Sequence, residues 1–397
     1  MLGSCAYSPP WLVERAAAVY APSSSPSTSF RRAALNALLA RSLYPHFCAG
    51  ATAAEASRVA DRLAEAGVGS ILNYAAEEAV EDEETEESKT RRNLDAARDA
   101  AAALFLASVA GARPSPRGDL RPAWVAVKIS ALVSPTVLER ASSAVLLASE
   151  EAAKDAKSDA PLFDRGALAL DDAKMEKILT RAVDSGAMTE EDVLGLKRGE
   201  ERLREIASAA AKKKNTRLIV DAEQTWLQPQ IDVLALRAMR EFNSITDDNP
   251  VVVQTYQCYL RSTPRRVAAD ALRASQEKFV HGAKPVRGAY LSAERAAASA
   301  KGLPDPVHGS IEGTHACYDA VVGSLFDGVK RGSTQLLVAV REFEKKTSFF
   351  FRKSFFILTS KKSSPLSLSL FNTNHKNKTK TKPSLTTARA SRPRWPG

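Results

Sequence analysis

Cysteine is scarce in this 397-residue chain. The four present, Cys5, Cys48, Cys258 and Cys317, include no CxxC pair. That excludes a dense disulfide framework and suits a reducing compartment. Histidine is equally sparse at five residues, and no His/Asp/Glu cluster stands at ligand spacing, which disfavours a metal centre. No apolar run reaches the ~18–20 residues needed to span a bilayer. A P-loop and a GxSxG elbow are both absent, and Gly67-Val68-Gly69 lacks the third glycine of a dinucleotide fingerprint. Even the net charge of +10 is local: residues 341–397 hold 14 Lys and Arg against 2 Asp and Glu, while the first 340 hold 42 against 44. The body of the chain therefore offers no basic nucleic-acid surface.

What is present is core-forming. Forty-four per cent of residues are apolar, enough for a sizeable interior. The chain is organised around Arg217–Thr225 (RLIVDAEQT), where a short apolar strand ends in two acids, Asp221 and Glu223. Buried strands that end in charge are affordable only where the charges are paired or stand at an open mouth. In parallel βα barrels the C-terminal strand tips form that mouth.

The chain in order reads as alternating elements. Ala53–Ala66 is a helix stopped by Gly67, and Ser70–Tyr74 a strand. Glu81–Glu87 is a solvated charge run, and Asn93–Val109 a helix. From about residue 120 to 340 five strands are expected: Trp124–Ile129, Arg217–Val220, Val251–Tyr256, Lys284–Tyr290 and Gln335–Ala339. Helices fall between them, including a pair over Asp171–Ala211 broken near Gly186 and Gly195. This alternation predicts parallel βα units. Each tip carries a polar group: Lys128, Asp221, Gln254, and Lys284 with Arg287. Several cations, an acid and an amide suit an anionic cofactor and a small zwitterionic substrate.

The two ends differ from the body. Residues 1–43 contain Arg15, Arg31, Arg32 and Arg41 with one acid, Glu14, which suits an organellar transit segment or equally a disordered terminus. Residues 341–397 are Lys/Ser-rich, with phenylalanine clumps and a KNKTKTK run at Lys376–Lys382, and read as disordered. The expected division is 1–43 targeting, 44–120 helical, 121–340 barrel and 341–397 tail.

Six segments together resemble flavin-dependent proline dehydrogenase of the mitochondrial eukaryotic type. They are GVGSILNY at Gly67–Tyr74, VAVKISAL at Val125–Leu132, LIVDAEQT at Leu218–Thr225, VVVQTYQCYL at Val251–Leu260, KPVRGAYL at Lys284–Leu291 and THACY at Thr314–Tyr318. The resemblance spans roughly Tyr44 to Ala339. It implies an α/β fold, an incomplete distorted (β/α)8 TIM-type barrel holding FAD. It also implies oxidation of L-proline to Δ1-pyrroline-5-carboxylate, with electrons passed to ubiquinone on the matrix side of the inner mitochondrial membrane and room for peripheral membrane contact. By the same resemblance Lys128 and Asp221 are the catalytic residues, ion-paired under the substrate. Gln254, Lys284, Val286, Arg287, Gly288, Ala289, Tyr290 and Thr314 line the cofactor, Gly288 by letting backbone approach it. No nucleic-acid partner is implied.

Three departures stand out. Pro285 replaces an aliphatic residue, and Asn73 replaces an aspartate. After the fifth strand the family carries a Thr/Ser-His-Asn motif and a terminal helix with paired arginines that clamp the substrate carboxylate; here Val340-Arg341-Glu342 follows. A retained intron or a wrong gene model is the expected origin of 341–397, with little activity and low stability for the chain as written. Two rivals remain at this level: a Schiff-base role for Lys128 in an aldolase-type barrel, and an inactive barrel fragment whose basic tail binds nucleic acid or acidic lipid. Taken singly, Lys128 reads as a surface strand-end lysine, Asp221 as a cap, and His281, His308 and His315 as solvated or satisfied.

Overall fold

Eight strands form one sheet in sequence order, β1 to β8, with no crossover out of order. The computed structural model describes residues 36–38, 41–42, 48–50, 52–66, 68–73, 87–113, 122–155, 171–213, 215–246, 250–342, 352–361 and 364–371. Most of the expected targeting segment, the acidic run up to residue 86 and the KNKTKTK run lie outside the described residues.

The elements in order are α1 (Ala53–Glu65), β1 (Ile71–Asn73), α2 (Glu87–Gly111), β2 (Ala123–Val127), a 3-10 turn (Ile129–Ala131), α3 (Pro135–Asp155), α4 (Asp172–Asp184) and α5 (Glu190–Lys212). Then come β3 (Thr216–Val220), α6 (Gln228–Phe242), β4 (Val252–Gln257), α7 (Thr263–Glu277), β5 (His281–Val286), α8 (Leu291–Ala300), α9 (Ile311–Lys330) and β6 (Thr334–Glu342). β7 (Arg352–Lys361) and β8 (Ser364–Phe371) follow. Pairs β1–β2 through β5–β6 are all parallel. The expected alternation is therefore present, with Ser70–Tyr74 supplying the first strand.

Helix starts follow local chemistry. Thr189 and Asp192 form a reciprocal capping box at α5, and Asp171 accepts from Lys174 N at α4. α6 and α7 each open with a proline, where its missing N–H costs nothing. Gly186, at φ +74°, does separate α4 from α5. Gly195 does not break a helix; it lies within α5, where the capped N-terminus and an apolar face override its low propensity.

The pleat divides each strand between two environments. Val125, Val127, Leu218, Val220 and Val252 join the large core under the helices. Trp124, Ala126, Ile219 and Val253 form a small separate cluster, with Ile71 packed on it. At the N-terminal end of the strands, fully buried Asn243 acts as a staple. Its Oδ1 accepts from Val251 N and Val252 N, both at 2.8 Å. Its Nδ2 donates to Val252 O at 2.7 Å and Val280 O at 3.0 Å.

Two expectations are corrected here. β5 ends at Val286 rather than Tyr290, so Arg287–Tyr290 is the loop leaving the strand. Pro285 is compatible with this central strand because pairing to β6 stops at Ala283. The tail is not wholly irregular either: β7 and β8 extend the sheet as antiparallel strands. The period-2 pattern Leu366-Ser367-Leu368-Ser369-Leu370 carries that signal. The parallel βα order nonetheless ends at β6, and β1 and β8 stay unjoined, so the barrel is incomplete as expected.

Candidate active site at the strand tips

Each parallel strand ends in a polar or charged residue because the apolar sequence stops where the strand leaves the core. On β3 the tip is Asp221, whose N–H is held by Val127 O of β2 at 2.9 Å. Lys284, near the end of β5, reaches across β4 to Asp221 Oδ1 at 2.6 Å. Thr255 of β4 donates its hydroxyl to the same oxygen at 3.3 Å. The side chains of Lys284 and Asp221 are 12% and 22% exposed, so the pair stands at a rim rather than in the core.

The expected partner of Asp221 was Lys128; the short contact is with Lys284 instead. Lys128, 8% exposed at the end of β2, directs Nζ to Tyr290 Oη at 3.4 Å. It also lies close enough to Glu223 to favour that residue's anion. Lys128, Asp221, Lys284 and Tyr290 thus meet at one end of the sheet.

The loop after β5 completes this end. Val286 O accepts from Cys258 N, and Arg287 O from Tyr259 N, both at 2.7 Å, which binds the exits of β4 and β5 together. The Arg287 guanidinium lies 4.3 Å over the Tyr318 ring and donates from Nε to His315 Nδ1 at 2.9 Å. Gly288 has φ +132°, and a Cβ there would fall 1.3 Å from Tyr259 Cδ1. Its glycine is thus required by Tyr259 beneath it, whatever approaches from outside. Ala289 N donates to Gln257 Oε1 at 3.1 Å. Thr314, in the first turn of α9, turns its hydroxyl onto Ser310 O of its own helix at 3.5 Å; its neighbour His315 makes the contact to the tip loop.

Gln254 is not brought to the rim. It is fully buried on the helix-facing side of β4, donating to Asp232 Oδ1 at 2.5 Å. There it joins Arg266, which binds Asp232 at 2.6 and 3.1 Å, and Tyr256, which donates to Asp270 at 2.8 Å. His281 Nε2 lies 2.7 Å from the same Tyr256 hydroxyl. That hydroxyl gives its one proton to the carboxylate, so His281 donates from Nε2 and Nδ1 is left bare. Burial accordingly drives the imidazole down to about 4.

The residues that do face the rim from β4 are Thr255 and Gln257, and from β3 also Glu223. None of these three was singled out as a site residue from sequence. Their signal is parity: Val220 pairs with Gln254, so Asp221 stands level with Thr255. Glu223 is 4% exposed, and burial raises its carboxyl above the usual range against a lowering hydrogen bond from Ser130. Buried Glu294 of α8 takes Thr225 N at 2.8 Å and Thr225 Oγ1 at 2.5 Å, tying the β3 loop to α8. A groove of about 1060 Å³ between α3 and α4 shares no residue with this cluster.

Residues 56–340 match the family described as proline dehydrogenase. The chain belongs to the proline dehydrogenase family. Among its relatives are proline dehydrogenase 2, mitochondrial, of Arabidopsis thaliana, 31% identical over 73% of this chain and 56% of that protein. Proline dehydrogenase 1, mitochondrial, of Drosophila melanogaster is 43% identical over 32% of this chain and 18% of that protein. Hydroxyproline dehydrogenase of Rattus norvegicus is 28% identical over 71% and 58%. The chain thus spans little more than half the length of these proline dehydrogenase relatives at most. In fold it is similar to the crystal structure of proline utilization A from Bdellovibrio bacteriovorus inactivated by N-propargylglycine. The TM-score is 0.50 at 17% identity, over 74% of this chain and 25% of that one.

The proline dehydrogenase tips also bear on the expected cofactor. Lys128, Lys284 and Arg287 outnumber Asp221 and Glu223, and burial raises the Glu223 carboxyl above the usual range. A mouth with surplus positive charge fits an anionic cofactor.

Proposed function

We propose that this proline dehydrogenase homologue binds FAD at the rim formed by β2 to β5 and oxidises L-proline to Δ1-pyrroline-5-carboxylate. The observation that carries the reading is the convergence of Lys284, Thr255 and Asp221 from three adjacent strands, with Lys128 and Tyr290 beside them. FAD, when bound, supplies the two-electron acceptor for the substrate carbon next to the ring nitrogen.

The chain's own residues do the rest. Lys128 and Lys284 offer positive charge to a substrate carboxylate, and Asp221 offers negative charge to its ring ammonium. Asp221 also keeps Lys284 in place, and Thr255 fixes the Asp221 carboxyl. Arg287, braced by His315 and the Tyr318 ring, presents a planar cation to phosphate or ring oxygens. Water is limited from below by the Trp124–Val253 cluster. We assign ubiquinone as the electron acceptor and the mitochondrion as the location, the inner membrane's matrix side included. The relatives named mitochondrial support the compartment. The family match favours this enzyme over a Schiff-base aldolase or a fragment working through a basic tail.

The test is the visible spectrum of the purified chain reconstituted with FAD. Retained yellow flavin that L-proline bleaches is expected. Wild-type protein that retains no flavin overturns the reading.

A further inference from the structure

Glu223 is the second acid of the strand-tip pair, and its carboxyl oxygen Oε1 is bonded to a main-chain N–H rather than to one of the rim's cations. Its Oε1 accepts from Ser130 N at 3.0 Å, in the turn that follows Lys128. Its N–H donates to Gln228 Oε1 at 2.8 Å, and its carbonyl accepts from Gln257 Nε2 at 2.8 Å. Gln257 passes the link on, its Oε1 accepting from Ala289 N between Arg287 and Tyr290. On the other side, Gln228 Nε2 donates to Asp232 Oδ1 at 2.8 Å, which anchors the series in the buried Arg266–Asp232 pair. One residue thus ties the exits of β2, β3, β4 and β5 to α6.

We propose that Glu223 is a positioning residue, working with Gln257, that sets Lys128 against the Arg287–Tyr290 loop by accepting a hydrogen bond rather than by carrying charge. The inference rests on the flavin reading of the rim for its consequence, though not for its geometry. Three observations support the hydrogen-bonding role. The carboxyl is 4% exposed, its hydrogen-bonded oxygen meets a main-chain N–H, and burial holds it above the usual carboxylate range. An amide of the same shape can accept from Ser130 N equally well.

Two measurements on the full chain test this: FAD affinity by flavin fluorescence, and amide exchange of Ser130 and Ala289. Glu223→Ala is expected to weaken FAD about tenfold, the scale of one lost buried hydrogen bond, and to speed exchange at Ser130 while sparing Ala289, whose link runs through the main-chain carbonyl of residue 223. Glu223→Gln is expected to stay within about twofold of wild type on both, on the same reasoning. Gln257→Leu should speed exchange at Ala289 and spare Ser130, which keeps the proposal decidable if Glu223→Ala does not fold. Equal losses in Glu223→Ala and Glu223→Gln would show that charge does the work and overturn it, as would unchanged exchange in Glu223→Ala and Gln257→Leu. If wild-type protein binds no FAD, the flavin reading fails while the exchange data still decide the positioning.

Discussion

Alternate residues of β4 meet two unlike polar environments. Gln254 and Tyr256 look toward α6 and α7, where Asp232, Arg266, Asp270 and His281 are all buried and bonded to one another. Thr255 and Gln257 look toward the rim, where Asp221 and Lys284 are partly open to water. On the helix side the buried carboxylates, the guanidinium and the Tyr256 hydroxyl are bonded within the cluster, with His281 Nδ1 left bare. At the rim the polar groups leave cationic capacity. Deep burial with paired charges marks a polar cluster that holds the fold, and partial exposure with surplus charge marks one that acts.

Four changes break or sharpen this contrast. The largest effect belongs to the helix side. Asp232→Ala leaves the Arg266 guanidinium buried without its carboxylate, and urea unfolding should show a loss of about 3–5 kcal/mol. Replacing both partners with apolar residues should recover most of it. Next is pH. His281 holds its proton only below about 4 in the folded chain, against about 6.5 unfolded. Between those values the unfolded chain binds more protons, so stability falls as pH is lowered through the window, by roughly 3 kcal/mol in all. His281→Gln should flatten that limb of the stability profile.

Gly288→Ala comes third. A side chain at φ +132° that also meets the Tyr259 ring should cost about 2 kcal/mol, read as a lower Tm. Adding Tyr259→Ala removes the clash but not the backbone strain, so the double variant separates the two. The smallest effect on stability is expected at the rim. Lys284→Met removes a partly exposed ion pair and should change unfolding by no more than about 1 kcal/mol. If the rim holds FAD as proposed, the same variant should lose it, read as loss of flavin absorbance after reconstitution. A rim substitution that unfolds the chain, or a helix-side one that spares stability, would undo the distinction.

The sequence displayed the strands because apolar triplets such as Leu218-Ile219-Val220 and Val251-Val252-Val253 are bounded by polar residues and turns. It displayed the charged tips Lys128, Asp221 and Lys284 for the same reason: each stands where an apolar run ends. Gln254 was misplaced because a run of six residues gives no clue to which parity faces the rim; that follows from register with β3, a long-range property. Glu223 was noticed as a tip acid but given no role, and Gln257 was not noticed, because both act on main-chain groups in other loops, which no spacing within one segment reveals. The Asp221–Lys284 pairing was hidden likewise, since it spans β4. In the tail, charge and serine content masked the alternating leucines that the backbone follows into β8.

Asn243 gives this arrangement its tolerance to change. Four main-chain groups converge on a single carboxamide at the opposite end from the rim, so β4 cannot shift by one step against the end of α6 without losing three of them, and the fourth ties the approach to β5 to the same residue. Such a slip would bring Gln254 level with Asp221 in place of Thr255. With alignment locked at the base, side chains at the opposite end can be exchanged without disturbing the pairing of the strands that carry them.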